Sequence, residues 1–231
     1  MRKDESARSD EHIPDRRPLA SRNTQWAQRF ARYLASTSIT PNQISYGSMV
    51  FAGIACTALV ISTRFESGLY VLCMALAVVA CQFRLICNLM DGMVAIEAGK
   101  QTPDGALWNE FPDRIADIAI LVGLGVAAGV PLLGWVAATA AVLVAYIREL
   151  GKGIDGVVDF TGPMAKPHRM ALVSAGAVFS ALGELLVRTP ESDSIPARIL
   201  MAVLAVLIVG CVLTVWRRVR AILNRLDFPT T

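Results

Sequence analysis

The chain has 231 residues, 54% of them apolar, with 22 lysines and arginines against 19 aspartates and glutamates and a formal net charge of +3. A mean hydropathy of +0.50 and recurring apolar stretches of membrane-spanning length set it apart from water-soluble domains, and one polytopic membrane domain accounts for the length. The basic residues sit beside the apolar stretches and no nucleic-acid fold signature is present, which points to anionic lipid headgroups and not to nucleic acid as their contact.

Residues 1–22 carry eleven charged side chains of mixed sign and no apolar period, the pattern of a disordered tail and not of a signal peptide. Trp26, Phe30, Tyr33 and Leu34 then recur at helical spacing opposite Gln25, Gln28, Arg29 and Arg32. Residues 23–37 are therefore expected to form an amphipathic helix along the membrane surface. The competing reading, a packing helix of a soluble domain, lacks a soluble domain to pack on.

Residues 38–220 are expected to form an all-α bundle of six transmembrane helices, at about 43–63, 68–95, 105–129, 131–150, 169–188 and 196–217. Gly, Pro and charge clusters at 64–67, 99–104, 151–168 and 189–196 separate most of them. Residues 221–231 are left as a tail. Eight lysines and arginines precede residue 42, four lie at 148–169 (Arg148, Lys152, Lys166, Arg169), and Arg217, Arg218, Arg220 and Arg225 end the chain. With Lys100 between the second and third spans and only Arg64, Arg188 and Arg198 opposite, both termini and the 96–104 loop are expected on the cytoplasmic side of a bacterial-type inner membrane. The five cysteines, at 56, 73, 81, 87 and 211, form no C-x2-C pair and read as small core residues. His12 and His168 leave little material for a histidine metal site or triad.

Polar residues recur at helical spacing on either side of the 96–104 loop. Asn88 and Asp91 share one helix face, with Gly92 and Ala95 following; Asn109 and Asp113 share another, four residues after Gly105. Facing each other, the two stripes would make an oxygen cage for a hard cation. From Gly68 to Asp91 a helix rises roughly 34 Å against about 30 Å of hydrocarbon, so Asp91 is expected at the interface, where a lipid headgroup and a water-soluble molecule can meet. Thr102-Pro103-Asp104-Gly105 supplies helix-start chemistry before the second stripe.

Written out, the constellation is N-x2-D-G-x2-A, nine residues, G-x3-N-x3-D, followed by Arg114. It resembles the signature of the CDP-alcohol phosphatidyltransferase superfamily, D-x2-D-G-x2-A-R, eight or nine residues, G-x3-D-x3-D. Asn88 and Asn109 stand where the first aspartate of each pair would be, and Ile96 where the arginine would be. Ile39-Thr40-Pro41-Asn42-Gln43-Ile44-Ser45 is similar to the segment leading into the family's first span, and Met164-Ala165-Lys166-Pro167-His168-Arg169-Met170 to its basic approach to the fifth, so the resemblance covers roughly residues 38–220.

The resemblance implies a transferase of phospholipid biosynthesis: divalent cations, Mg²⁺ or Mn²⁺ and commonly two, bind the diphosphate of a CDP-linked lipid such as CDP-diacylglycerol, a small polar alcohol attacks, and CMP leaves. Carried over by position, Asp91 is the chief metal ligand, Asn88 and Asn109 neutral oxygen ligands, and Asp113 ligand or general base. Gly92, Ala95 and Gly105 leave room for the nucleotide. Arg84, Arg114, Arg148, Lys166, His168 and Arg169 are candidates for holding an anionic or phosphorylated acceptor, against the plainer readings that Arg84 pairs with a carboxylate and that the others serve topology. Glu97 and Glu110 flank the site at other helical angles, a solvated or structural position. A second register, with Asp113 and Asp117 as the later pair, keeps the four-residue spacing but loses the G-x3 step.

Buried polar residues tying helices together are the ordinary explanation for a lone asparagine in a membrane bundle. Both asparagines here replace an acid with an isosteric oxygen donor, and magnesium needs only one or two carboxylates when substrate phosphates complete its shell. The chain is accordingly read as an active metal-dependent transferase. A non-catalytic lipid- or nucleotide-binding subunit with the same fold is the alternative; a transporter would require inverted repeats and broken midplane helices that the sequence lacks. The acceptor alcohol and the oligomeric state, a homodimer included, stay open.

Overall fold

The computed structural model describes residues 24–97, 99, 104–186 and 194–227. The tail expected over 1–22, and Glu97 and Asn109 as side chains, lie outside the described residues. Among the described residues seven helices follow one another: α1 (Gln25–Ala35), α2 (Pro41–Ser62), α3 (Ser67–Glu97), α4 (Gly105–Ala127), α5 (Pro131–Asp155), α6 (Lys166–Leu186) and α7 (Ser194–Asp227). No strand occurs among the described residues.

Local chemistry sets several of these boundaries. Thr40 and Gln43 form a capping box at the start of α2, each side chain bonding the other's backbone N–H, and Pro41 occupies the first turn, where its missing donor costs nothing. At the far end of α5 the helix runs through Gly151 and Gly153 and stops at Gly156, whose φ of 73° is left-handed. The 151–168 stretch expected as a separator is therefore helical to Asp155. Glycine weakens a helix by only about 1 kcal/mol, and the absent side chain at Gly151 makes room for Ile222: a Cβ there would lie 2.9 Å from the Ile222 Cδ1. Likewise α7 continues to Asp227, past the boundary expected at 220.

Among the described residues five helices, α2, α3, α5, α6 and α7, are long and apolar enough to cross a membrane. The 23 residues of α4 have comparable length, but Glu110, Asp113, Arg114 and Asp117 crowd its middle and remove it from that class by composition.

The six long helices close into a ring in which neighbours pack in the order α2, α3, α6, α7, α5, α4 and back to α2. Inside it lies one core, built from alanines of α2 and α5 and from Leu59, Met74, Ile120, Leu121, Leu124, Met170, Leu200, Leu204 and Leu207. Small residues let α4 and α5 approach closely at the end opposite the polar cluster, where a Cβ on Gly125 would meet the Gly134 Cα at 2.5 Å. All five cysteines are free; Cys81 and Cys211 are buried and the others half-buried.

Helix α1 stands outside the ring, against the end of α3. Ala27 and Ala31, both fully buried, pack on Leu89, Met90, Met93 and Val94. Trp26, Phe30 and Tyr33 point away from the protein and are 51%, 41% and 65% exposed. The helix thus has two apolar faces, one of alanines for the protein and one of aromatics left uncovered.

Candidate functional site

One end of the ring gathers the N-termini of α2, α4 and α6 and the C-termini of α3, α5 and α7, and the sequence-predicted residues meet there. On α3, Asp91 is 5% exposed. Ser45, placed one turn into α2 by the capping box, donates to its Oδ2 at 2.7 Å, and the Gly92 N–H donates to its Oδ1 at 2.5 Å. Among the described residues no ion pair forms on Asp91, so this carboxylate is buried on neutral donors alone. One turn back, Asn88 is half-buried and its Nδ2 lacks a hydrogen-bond partner. Gly92 and Ala95, both half-buried, lie on the last turns of the same helix, and Gly105 is the first residue of α4.

On α4, Asp113 is similarly buried. Lys166, at the start of α6, donates to its Oδ2, and Arg114 Nη2 lies 3.8 Å from the same oxygen. The other oxygen, Oδ1, has no hydrogen-bond partner; Arg84 Nη2 is 3.7 Å away. Lys166 is held in position from behind. The Met164 N–H donates to Thr214 Oγ1 at 3.0 Å, and Arg218 donates to the carbonyls of Thr161 and Val144, tying the 156–165 segment to α7 and α5.

Deeper by one turn of α4 lies Asp117, 1% exposed, whose Oδ1 accepts from Arg84 Nη2 at 2.7 Å and whose Oδ2 accepts from Arg169 Nη2. Arg84 and Arg169 are themselves 0% and 2% exposed, and Arg169 also donates to the Met164 carbonyl at 3.0 Å. Expected as candidates for the acceptor, these two arginines are instead drawn inward, because a buried carboxylate with two cations satisfies all three charges without solvent. Asp117 is thereby engaged on both oxygens, which leaves the second register without a free donor.

The outer shell is simpler. Arg148 pairs with Glu110 at 2.5 Å and Glu149 at 2.9 Å and lies over the Phe160 ring; Arg114 pairs with Glu110 at 3.3 Å. His168 is exposed, with Nδ1 at 2.9 Å from the Pro163 carbonyl. Ser45 is a contributor whose role the sequence did not single out, while Glu110 has the structural place its helical angle suggested. Among the described residues no three His, Cys, Asp or Glu side chains come together as a ready-made metal site.

No protein-family model matches the chain. A curated relative, the bifunctional IPC transferase and DIPP synthase of Rubrobacter xylanophilus, is 30% identical over 162 residues, 68% of this chain and 35% of that protein. The chain therefore spans about a third of the length of this relative. Crystal structures of Mycobacterium tuberculosis phosphatidylinositol phosphate synthase superpose well at 20% identity. The one with CDP-DAG bound gives a TM-score of 0.66 over 86% of this chain and 94% of that one. The complex with manganese and citrate gives 0.65 over 85% and 88%. The chain has the fold of these phosphatidylinositol phosphate synthase structures.

Proposed function

We propose that this protein is a divergent CDP-alcohol phosphatidyltransferase that moves a substituted phosphate from a CDP-linked lipid to a small polar alcohol and releases CMP. One observation carries the reading: Asp91 and Asp113, from opposite halves of the motif, are buried at the same end of a bundle with this fold, beside the half-buried Asn88 and the Lys166 ammonium. Buried carboxylates without full compensation cost several kcal/mol, which a purely structural bundle has no reason to retain.

The donor set fits a hard divalent cation. Asp91 and Asp113 supply carboxylate oxygens, Asn88 an amide oxygen, and Asn109 precedes Asp113 by one turn on α4; the Asp113 Oδ1 accepts no hydrogen bond and, with Arg84 Nη2 3.7 Å away, is the oxygen that would turn to a metal. Mg²⁺ or Mn²⁺ bound there would neutralise the diphosphate and its departing nucleotide. The chain's own residues do the rest. Ser45 and the Gly92 N–H fix the Asp91 carboxylate. Asp113 takes the proton of the alcohol as its oxygen bonds to the lipid-side phosphorus and the bond to CMP breaks, so that the phosphoanhydride bond of the donor is exchanged for a phosphoester bond to the alcohol. The helix N-termini of α2, α4 and α6 face the same end and favour the anionic diphosphate. Arg114, Arg148, Lys166 and His168 are the cationic or polar groups nearest an acceptor arriving from water.

In this reading α4 completes a six-crossing bundle, since it fills the ring between α2 and α5. Helix α1 lies on the cytoplasmic surface with Trp26, Phe30 and Tyr33 among lipid headgroups. The enzyme belongs to a bacterial-type inner membrane with both termini and the site cytoplasmic.

A second reading has an observation of its own. Among the described carboxylates of the site Asp91 alone lacks an arginine, since Arg84 and Arg114 lie 3.7 and 3.8 Å from Asp113, which suits a subunit that binds a nucleotide-linked lipid without turning it over. Purified protein incubated with CDP-diacylglycerol, Mg²⁺ or Mn²⁺ and a panel of polar alcohols decides between them. Metal-dependent CMP release is expected; saturable CDP-lipid binding with no CMP from any alcohol identifies the binding subunit.

A further inference from the structure

Asp113 is the inner end of a row of alternating charges on α4 and α5. Arg114 Nη2 lies 3.8 Å from its Oδ2 and 3.3 Å from Oε2 of Glu110. The same Glu110 Oε2 is 2.5 Å from Arg148 Nη2, and Arg148 Nε donates to Oε1 of Glu149 at 2.9 Å. Glu110 and both arginines are half-buried, and the Arg148 guanidinium is set over the Phe160 ring, so the row is held in place and differs from a loose surface pairing. Two guanidiniums thus stand between three carboxylates. The other basic residues of the site are committed as well: Arg84 and Arg169 to Asp117, Lys166 to Asp113, and Arg218 to the carbonyls of Thr161 and Val144. The nitrogens of Arg84, Arg114 and Arg169 that lack a partner are buried, out of reach of an acceptor arriving from water.

An acceptor that carries a phosphate needs a cation of its own, since a phosphate drawn out of water without one loses its hydration unrelieved. Here it would have to take Arg148 or Arg114 from Glu110, and that carboxylate would be left beside the phosphate, like charge against like. An uncharged polyol makes no such demand, because its hydroxyls donate to carboxylate oxygens. Both arginines use Oε2 of Glu110, which leaves Oε1 of the same side chain as an acceptor for a hydroxyl. We propose that the acceptor is an uncharged polyhydroxy alcohol and not a phosphorylated one, and that Glu110 sets this preference by keeping Arg114 and Arg148 occupied. Glu110 touches no reacting atom; it decides which alcohols reach Asp113. The assignment rests on the transferase reading above.

A panel of polyols, each beside its own monophosphate and with glycerol and inositol among them, tests this on the full chain in lipid nanodiscs with CDP-diacylglycerol and Mg²⁺ or Mn²⁺. CMP release gives kcat and KM for each member. In at least one pair the uncharged member should be the better substrate by about 10-fold or more in kcat/KM, the worth of one charge-assisted contact that its phosphorylated counterpart must displace. Glu110→Gln relieves the arginines of their shared counter-charge, so this ratio should fall about 10-fold through the KM of the phosphorylated member, and Arg148→Met in the same background should restore it. A merely structural Glu110 would lower both members alike. A parent that prefers the phosphorylated members, that turns over only alcohols outside the panel, or whose ratio is unchanged in folded Glu110→Gln overturns the assignment and leaves the transferase reading standing. No CMP from any alcohol, charged or uncharged, overturns both. Should Glu110→Gln fail to fold, the ratios of the parent decide the matter.

Discussion

Asp117→Asn separates the structural ion network from the reacting groups. The carboxylate is 1% exposed and is shared by Arg84 and Arg169, which are 0% and 2% exposed. Asparagine keeps the shape but offers one acceptor, and its amide N–H₂ group would face the other guanidinium, donor against donor. Two buried cations then lose their common counter-charge, and only Asp113, 3.7 Å from Arg84, remains near either. Leaving buried charge uncompensated costs about 3–5 kcal/mol. In a bundle of this size that corresponds to a fall of about 10 °C or more in the midpoint of thermal unfolding. Arg169→Met removes one cation and leaves a one-to-one Arg84–Asp117 pair, so its cost should be nearer a single charge-assisted hydrogen bond, about 1–3 kcal/mol. Thermal unfolding in detergent, followed by tryptophan fluorescence with size-exclusion profiles as a check on assembly, measures both. An Asp117→Asn protein with an unchanged midpoint and CMP release reduced about 100-fold would refute the reasoning, because Asp117 would then belong to the reacting set and the Asp113/Asp117 register would be the right one.

Asp91→Asn and Asp113→Asn should behave in the opposite way: each removes a metal ligand or proton acceptor, so turnover should drop at least ~100-fold while the protein still assembles in the membrane. Unaltered turnover in either variant would remove that residue from its assigned role. Mg²⁺ or Mn²⁺ should raise the unfolding midpoint, and raise it further with CDP-diacylglycerol present, because diphosphate oxygens complete the metal's shell and binding stabilises only the folded state. Absence of any metal-dependent shift with or without the lipid would argue against a metal site. Asn88→Asp/Asn109→Asp should lower activity or demand higher metal concentration, since two added carboxylates at close range repel Asp91 and Asp113. A gain of activity at ordinary Mg²⁺ would instead mark the asparagines as damage.

Spacing made the two halves of the motif legible, because residues three or four apart must share a helix face whatever else the chain does. Which helices carry those faces to one place was not legible from spacing alone. Ser45 is an example: it lies on an apolar helix where a serine bonding its own backbone is unremarkable, as Ser48 and Ser62 do, and only the packing of α2 on α3 directs it to Asp91. Asp117 carries the same ambiguity in reverse, since its four-residue step from Asp113 fits a ligand pair as well as an ion network, and the arginines that decide the matter come from α3 and α6. The aromatic stripe of α1 was visible for its size, whereas Ala27 and Ala31, which make the actual contact with α3, carry no signal in a chain this rich in alanine. Helix ends were misjudged where glycine stood for a break, because Gly151 is used for close packing by Ile222 and only Gly156 turns the chain.

These placements bear on how the asparagines should be understood. A site decaying without selection would accumulate apolar residues and unpaired charges, because nothing would hold the sum of its charges near zero. Here the two acid-to-amide differences from the family pattern fall one turn before Asp91 and one turn before Asp113, and the lysine from α6 reaches the second of these. The carboxylate farther inside is closed off by two arginines and tied to the fold, so the acids left to act are the two that the motif shares between its halves. Maintaining Asp91 at 5% exposure on a serine hydroxyl and a backbone N–H, with no cation paired to it, costs stability in every molecule that folds. A cost of that kind is retained where something positive is meant to arrive, and at the end of the bundle where the N-termini of three helices converge, the metal and diphosphate of the proposed function would meet both requirements together.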